Sequence, residues 1–249
     1  MKYKALILDL DDTTVVHGLK SLPSKRVSEA IAKAKERIHV CVATARPKKE
    51  ALPIFEHLEL SGLCIINNGT QIYDPVKRTI IYEKVLDVAV VPAIYERCKR
   101  RGIEALVYDG VKDVPYRQGN MPKEVLSVYM PQVPKDQVED LFKELSMLPG
   151  VQVHKLMAWD KTYLALDVTH KEVSKLHGII EVARILKIGT EEIIGVGDGY
   201  NDFPLLLACG LKIAMGNAVP ELKAIADFIA PSVDDDGVAT VIEKFVLSK

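Results

Sequence analysis

The sequence predicts an α/β protein in which a doubly wound parallel sheet is interrupted by a small α+β module. Short β-rich runs alternate with amphipathic segments at both ends of the chain, and this alternation breaks in the middle. The length, 249 residues, is also near the upper limit for one hydrophobic core. Two modules are therefore expected.

The first quarter of the chain alternates between strand and helix patterns. Residues 4–10 are a continuous apolar run bounded by acids, which predicts a buried central strand. Apolar residues between 27 and 34 recur at helical spacing and predict a helix with one apolar face. Two more strands are expected at 39–43 and 63–66, with a helix that opens at Pro47 between them.

The rhythm changes after the third predicted strand. Runs at 71–73 and 79–82 flank Asp74-Pro75, a turn signal, and so predict a hairpin. The following stretch predicts a compact unit with antiparallel character. Its expected elements are helices at 88–101 and 135–147 and strands at 104–108, 125–130, 151–157 and 163–167.

The alternating rhythm then resumes, which indicates a return to the first module. The expected elements are helices at 172–186 and 203–208 and strands at 193–196, 212–214 and 228–229. The simplest organisation is a core of residues 1–83 and 170–249 with a module inserted at 84–169.

Composition excludes several classes of partner. Lys plus Arg (33) nearly balances Asp plus Glu (34), so no long-range field favours nucleic acid or an anionic membrane. No signal peptide and no membrane-spanning run is recognised, which predicts a cytoplasmic protein. The cysteines lack the spacing of zinc or redox motifs and are expected to be buried thiols; they are Cys41, Cys64, Cys98 and Cys209.

Two acidic clusters each follow a predicted strand. One contains Asp9, Asp11 and Asp12, and the other contains Asp198 and Asp202. Open α/β sheets place their ligand sites at the carboxyl ends of strands, so the clusters converge if the two strands are neighbours. Clustered carboxylates repel each other unless a hard cation stabilises them, and oxygen-only ligands predict Mg²⁺ rather than zinc.

Five ordered motifs resemble those of the haloacid dehalogenase superfamily. They are Asp-Leu-Asp-Asp-Thr at 9–13, Ala-Thr-Ala-Arg at 43–46, Asn-Asn-Gly at 67–69, Val-Ser-Lys at 173–175 and Gly-Asp-Gly-Tyr-Asn-Asp at 197–202. The resemblance spans the whole chain and implies a Rossmann-like core. The late insertion resembles the C2-type cap of the Cof-like, subfamily IIB phosphatases, which implies a domain that selects the substrate.

The resemblance implies a role for each acid. Asp9 is expected to be the nucleophile that forms an aspartyl phosphate, and Asp11 the acid/base that protonates the leaving alcohol and then activates water. Mg²⁺ is expected to be held by Asp9, the backbone carbonyl of Asp11 and Asp198. Asp202 is expected to be either a further metal ligand or an anchor for the others.

Further residues are expected to bind the phosphoryl group. Thr44 matches a hydroxyl that hydrogen-bonds a phosphoryl oxygen, and Lys175 matches a cation that balances charge beside Asp9. Asn201 is expected to position its neighbours near the substrate phosphate, and Asn68 with Gly69 to shape the mouth of the site.

The chain departs from the family pattern at two positions. The family usually has glycine where Asp12 stands and often where Ala45 stands. Glycine eases backbone conformations that other residues resist, so the local geometry at both positions is an open question.

The implied activity is Mg²⁺-dependent hydrolysis of a small phosphomonoester, such as a sugar phosphate or phosphoglycolate. A phosphomutase of the phosphomannomutase type is the alternative, since the same acids would pass the phosphoryl group to a sugar. A phosphorylated receiver domain would require a much shorter chain without an insertion. The substrate and the oligomeric state do not follow from the sequence.

Overall fold

The structure is a computed structural model that describes residues 2–18, 20–116 and 121–248. The chain forms two compact units. Unit 1 runs through Tyr82 and resumes at Lys175, and unit 2 is Glu83–Ser174. The predicted insertion at 84–169 ends inside a strand of unit 2 that continues to His170. No helix in the described ranges is long and apolar enough to cross a membrane.

The described part of the chain contains strands in both units. In chain order they are β1 (Ala5–Leu8), β2 (His39–Ala43), β3 (Cys64–Ile66), β4 (Gln71–Asp74), β5 (Thr79–Glu83), β6 (Leu106–Tyr108), β7 (Asp113–Pro115), β8 (Ser127–Pro134), β9 (Val151–Met157), β10 (Tyr163–His170), β11 (Ile193–Gly197), β12 (Leu211–Ala214) and β13 (Phe228–Ile229).

The α-helices lie between these strands. They are α1 (Lys25–Lys35), α2 (Lys48–His57), α3 (Val91–Lys99), α4 (Lys135–Ser146), α5 (Lys175–Leu186), α6 (Phe203–Ala208), α7 (Pro220–Ala224) and α8 (Gly237–Ile242). A π-helical turn at Glu243–Leu247 extends α8. Single 3₁₀ turns occur at Asn67–Gly69, Val88–Val90, Thr190–Glu192, Tyr200–Asp202 and Val233–Asp235.

Unit 1 is built on a sheet whose strand order is β13-β12-β11-β1-β2-β3-β4-β5. The strands from β13 to β3 pair in parallel, and β4 pairs antiparallel to β3. The chain builds outward from β1 through β2 and β3, then returns to the other side of β1 as β11. The strand order therefore reverses between β1 and β11, the place where such sheets open a ligand site. The predicted fold class is confirmed.

The apolar run at the start of the chain lies at the centre of this sheet. All four residues of β1 are fully buried between β2 and β11. Helix α1 packs against α8, and α5 packs against α6. Because Lys175 begins α5 and Asp202 immediately precedes α6, this helix pair brings two charged side chains to the same end of the sheet.

Unit 2 has its own sheet and its own core. The sheet order is β7-β6-β8-β10-β9, and the pairs within it are antiparallel. Alternate residues of β8, β9 and β10, including Val128, Val153 and Val168, join α3 and α4 in an apolar cluster. Intervening residues of the same strands, including His154 and Asp167, therefore lie on the opposite face.

Some short elements were not predicted from the sequence. Strand β7, helix α7 and helix α8 were missed, and β8 extends four residues beyond the predicted end at 130. In β8, Pro131 and Pro134 lack the N–H group that pairing normally uses, which obscured the strand in the sequence.

Candidate active site

The acidic clusters meet where the sheet reverses its order. Leu8 at the end of β1 pairs with Val196 in β11, and the Asp9 N–H donates to the Val196 carbonyl at 3.0 Å. The next residues turn tightly, because the N–H groups of Thr14 and Val15 both donate to the Leu10 carbonyl. This turn leaves Asp9 beside the end of β11.

Two threonines tie the turn after β1 to the acids. The Thr14 hydroxyl donates to the Asp9 carbonyl at 2.6 Å, which fixes the backbone that carries the Asp9 carboxylate. The Thr13 hydroxyl donates to Oδ1 of Asp198 at 2.7 Å. Thr13 therefore links the first acidic cluster to the second.

The loop after β11 is organised around Asp202. Its Oδ2 accepts hydrogen bonds from the N–H groups of Asp198 and Gly199, both at 2.9 Å. Gly197 allows this close approach, because a Cβ atom there would lie 2.5 Å from the Asp202 Cγ. Asp202 is completely buried, so its carboxylate serves as the fixed point of the loop.

Lys175 joins the two clusters through a buried ion-pair network. Its Nζ donates to Oδ1 of Asp9 and to Oδ1 of Asp202, each at 2.5 Å. Only 1% of the lysine side chain is exposed. A buried ammonium is costly without compensating charge, and these two carboxylates supply it.

Burial and mutual repulsion shift the protonation of these groups. Burial raises the pKa of Asp9 to about 8, against the lowering effect of Lys175. Burial, followed by the charges of Asp9 and Asp202, raises the pKa of Asp198 well above its ordinary range. Burial acts to lower the pKa of Lys175, but the charges of Asp202 and Asp9 outweigh it and hold that pKa above its ordinary value.

The donor set fits a hard divalent cation. Carboxylate oxygens of Asp9, Asp198 and Asp202 all lie within 4.8 Å of one another, and all three residues are buried. When ionised, the three carboxylates beside the one ammonium leave a net charge of two negative units, which a divalent cation would neutralise. Oxygen-only ligands are those that hard divalent ions prefer.

Thr44 directly follows β2, the strand that pairs with β1. It is fully buried, and its Oγ1 accepts a hydrogen bond from the Arg46 N–H at 3.1 Å. Its backbone carbonyl accepts from the Asn68 N–H at 3.0 Å. A hydroxyl also carries a proton of its own, so Thr44 retains the capacity to donate to a ligand oxygen.

Asn201 contacts a different part of the site from the acids. Its Nδ2 donates to Oδ1 of Asn68 at 3.3 Å, which links the loop after β11 to the loop after β3. Asn68 is fully buried with a φ of 55°, a left-handed conformation that asparagine tolerates. The pair joins two motif loops.

Arg46 was missed as a site residue, although it lies within a recognised motif. Its Nε donates to Oδ2 of Asp11 at 2.9 Å and its Nη2 donates to Oδ1 at 2.5 Å. The arginine side chain is 2% exposed, whereas that of Asp11 is 26% exposed. Arg46 stands two residues after Thr44 in the Ala-Thr-Ala-Arg motif, and nothing in that pattern indicates that its side chain is buried.

The two departures from the family pattern have different local geometry. Asp12 adopts a φ of 53°, so it takes the left-handed conformation that a glycine would take without strain. Its carbonyl accepts from Asn217 Nδ2 at 2.7 Å, and its carboxylate lies 3.2 Å from His17 Nδ1. Ala45 is not among the residues with positive φ, so alanine fits there.

The whole chain is similar to proteins of one family. The family model of the haloacid dehalogenase-like hydrolases matches residues 6–145 and 120–242. The phosphoglycolate phosphatase of Methanobrevibacter smithii is 27% identical over 99% of this chain and 100% of its own length. The Bacillus subtilis 5-amino-6-(5-phospho-D-ribitylamino)uracil phosphatase YcsE is 24% identical over 98% and 96% of the two chains.

A solved structure shows the same fold. The subclass IIB sugar phosphatase BT4131 superposes with a TM-score of 0.81 over 97% of this chain and 98% of its own, at 23% identity. The resemblance that the motifs indicated is confirmed by the family match over most of the chain. This chain belongs to the haloacid dehalogenase-like hydrolases and is an enzyme of that family.

Proposed function

We propose that this enzyme is a Mg²⁺-dependent hydrolase of a small phosphomonoester, such as a sugar phosphate or phosphoglycolate. The observation that carries the proposal is the position of Asp9: its Oδ1 lies 2.5 Å from the Lys175 ammonium, and its ligand oxygens cluster with those of Asp198. An anionic nucleophile next to a cation site suits attack on a phosphoryl group. The full-length relatives named as phosphatases support this reaction class.

The proposed reaction has two steps. An ionised Asp9 oxygen attacks phosphorus, the bond from phosphorus to the ester oxygen breaks, and Asp11 gives its proton to the departing alkoxide. Asp11 then takes a proton from water as the water oxygen attacks phosphorus. The bond from phosphorus to Asp9 breaks, and inorganic phosphate leaves with Asp11 protonated again.

The other site residues stabilise this sequence. Mg²⁺ held by Asp9, Asp198 and the Asp11 carbonyl would neutralise charge between the anionic nucleophile and the phosphoryl group. Lys175 would compensate the charge of the aspartyl phosphate, and the Thr44 hydroxyl would donate to a phosphoryl oxygen. Asn201, together with Asn68, would align these loops around the phosphoryl group.

Asp202 is proposed as an anchor rather than as a metal ligand. Its Oδ2 already accepts two backbone hydrogen bonds and its Oδ1 accepts from Lys175. The carboxylate thereby fixes the loop that carries Asp198 and the lysine that faces Asp9. This arrangement supports the anchor alternative among the two that the sequence left open.

Unit 2 is proposed to select the substrate. The face of its sheet opposite the apolar core carries hydrogen-bonding side chains: His154 Nε2 lies 2.9 Å from the Thr169 hydroxyl, and Asp167 pairs across from His154 and Tyr129. Groups of this kind recognise hydroxyl or carboxylate substituents of a small metabolite. All residues proposed for the chemistry lie in unit 1.

The experiment is a panel of phosphomonoesters assayed for phosphate release with Mg²⁺ and with excess chelator. Release that requires Mg²⁺ and is abolished by Asp9→Asn is expected. Turnover that persists in full with chelator would contradict the metal assignment. Phosphate release without a bisphosphate activator also separates this hydrolase from a phosphomutase, which would return the phosphoryl group to a sugar.

A further inference from the structure

We infer that Arg46 is a positioning residue that fixes the Asp11 carboxylate for proton transfer, because its guanidinium holds both oxygens of that carboxylate. This inference rests on the proposed function, in which Asp11 is the acid/base. It adds a residue that acts only through Asp11, with no contact to the substrate required.

The geometry is a two-pronged arginine–carboxylate pair. Nε and Nη2 donate to different oxygens of Asp11, at 2.9 and 2.5 Å. Because the guanidinium is planar and its donors are fixed in a fork, this pair sets the plane of the carboxylate as well as its position. A lysine in its place would offer a point charge without that orientation.

Arg46 is itself held firmly enough to act as a support. Its N–H donates to the Thr44 hydroxyl, its carbonyl accepts from the Asn67 N–H at 3.1 Å, and Nη2 also donates to the Gly18 carbonyl at 3.0 Å. Its side chain is almost completely buried. The arginine therefore joins the ends of β2 and β3 to the loop that follows β1.

Asp11 needs such a support more than the other acids do. Lys175 holds Asp9, Thr13 holds Asp198, and backbone N–H groups hold Asp202, all in buried surroundings. Asp11 lies on the loop beyond β1 with a quarter of its side chain exposed, and Arg46 supplies the hydrogen bonds to its carboxylate among the described residues. Without Arg46, the side chain can rotate into solvent, and a displacement of about 1 Å can slow a reaction by about 10²-fold.

The chemistry gives this role a distinctive signature. An alkyl phosphate releases a strongly basic alkoxide, so its cleavage depends on a proton from Asp11. A 2,4-dinitrophenyl phosphate releases a stable anion, so attack by Asp9 needs little help from an acid. Loss of Arg46 should therefore slow formation of the phosphoenzyme from an alkyl phosphate much more than from the dinitrophenyl ester.

The test is a double-mutant cycle with these two substrates. Arg46→Gln, Arg46→Lys, Asp11→Asn and the double variant Asp11→Asn/Arg46→Gln are compared in single-turnover measurements of ester cleavage. Arg184→Gln is the matched control, because Arg184 forms an exposed ion pair with Glu181 on α5. Unfolding midpoints establish that each variant is folded. If Arg46→Gln does not fold, the cycle is measured with Arg46→Lys and the double variant Asp11→Asn/Arg46→Lys instead.

The expected result has two parts. Arg46→Gln lowers the alkyl phosphate rate by about 10²-fold, in line with a misplaced catalytic group, and the dinitrophenyl rate by less than about fivefold. In Asp11→Asn, the added Arg46→Gln change has little further effect, because the arginine acts through the missing carboxylate. Arg46→Lys gives an intermediate loss.

Two other results overturn the inference in distinguishable ways. Equal losses on both substrates, or additive losses in the cycle, would show that Arg46 acts independently of Asp11 while the proposed function stands. If Asp11→Asn itself shows no dependence on the leaving group, then the acid/base role fails, and the role of Arg46 falls with it.

Discussion

Lys175 Nζ and Asp202 Oδ1 lie 2.5 Å apart in a fully buried ion pair, although α5 and the loop after β11 supply them separately. The same ammonium reaches Asp9 at 2.5 Å. The pair therefore connects the anchor of the loop after β11 to the proposed nucleophile, so the side chains that stabilise the fold here include those proposed for catalysis.

Lys175→Met is expected to lower the free energy of unfolding by about 3–5 kcal/mol, because two buried carboxylates lose their compensating charge. Lys212→Met is the control, since Lys212 forms a partly exposed pair with Asp227 at 3.9 Å and should cost less than about 1 kcal/mol. Urea denaturation in chelator measures both. Equal effects of the two substitutions would contradict the buried network.

Mg²⁺ is expected to stabilise the protein through the clustered carboxylates of Asp9 and Asp198. At a concentration of about 100 times Kd the gain is about 2.7 kcal/mol, which raises Tm by several degrees in a domain of this size. Asp198→Asn should abolish that rise, whereas Asp234→Asn, an exposed aspartate outside the cluster, should preserve it. Thermal melts with and without chelator decide the point, and an undiminished rise in Asp198→Asn would oppose the assignment.

The stabilisation by Mg²⁺ is expected to increase with pH. Burial raises the pKa of Asp9 to about 8 and raises that of Asp198, so the metal-free fold retains protons that the unfolded chain releases. Their contribution to stability is complete below the unfolded pKa of about 4 and is lost as pH rises through the folded pKa. Mg²⁺ competes with those protons, so its Tm shift should be larger at pH 8 than at pH 5.5. A shift independent of pH would contradict this linkage.

The cysteine thiols are expected to be unreactive in the folded protein. Burial raises the pKa of Cys41 and Cys209 to about 12 and of Cys98 to about 11, and it raises that of Cys64 well above its ordinary value. At pH 8 a disulfide reagent should therefore label the native chain only as fast as it opens, and should titrate four thiols in denaturant.

Only Cys98 belongs to unit 2, so peptide mapping of the label separates opening of the two units. A fast native reaction at Cys41 or Cys64 would contradict the burial of β2 and β3.

Substitutions on the polar face of the unit 2 sheet are expected to change substrate choice without removing the chemistry. His154→Gln and Thr169→Val should alter the ranking of phosphomonoesters by kcat/KM, while hydrolysis of a small activated aryl ester remains within about tenfold, since one lost hydrogen bond is worth about 1 kcal/mol. Lys143→Ala on α4, which packs on the other face, is the control. An unchanged ranking in the sheet variants would place specificity elsewhere.

The strands that position the site were predictable because burial leaves a clear pattern. The apolar run in β1 and the acids after β1 and β11 needed only the rule that ligands bind at the carboxyl ends of parallel strands. The place where the strand order reverses, between β1 and β11, could not be predicted, because no local sequence pattern contains the order of the strands. Helix α8 was missed because Val238, Thr240 and Val241 are β-branched and its charged residues come only afterwards, so helical periodicity was obscured.

The role of Arg46 was not predictable for a related reason. An arginine after a strand is ordinarily a solvated side chain, and only the fold shows that it is buried against Asp11. For Asp12, in contrast, the sequence did indicate an unusual backbone, because the family usually has glycine at this position. The structure shows the positive φ there. Long-range contacts, rather than local preference, determine both environments.

The most direct test of the account is the identity of the phosphorylated residue. The enzyme is mixed briefly with an activated phosphate donor and Mg²⁺ and quenched in acid, and its peptides are mapped by mass spectrometry. The account predicts one phosphoryl group on Asp9, more of it in Asp11→Asn because hydrolysis slows, and none in Asp9→Asn. A phosphoryl group on any other residue, or turnover that persists in Asp9→Asn, would contradict it.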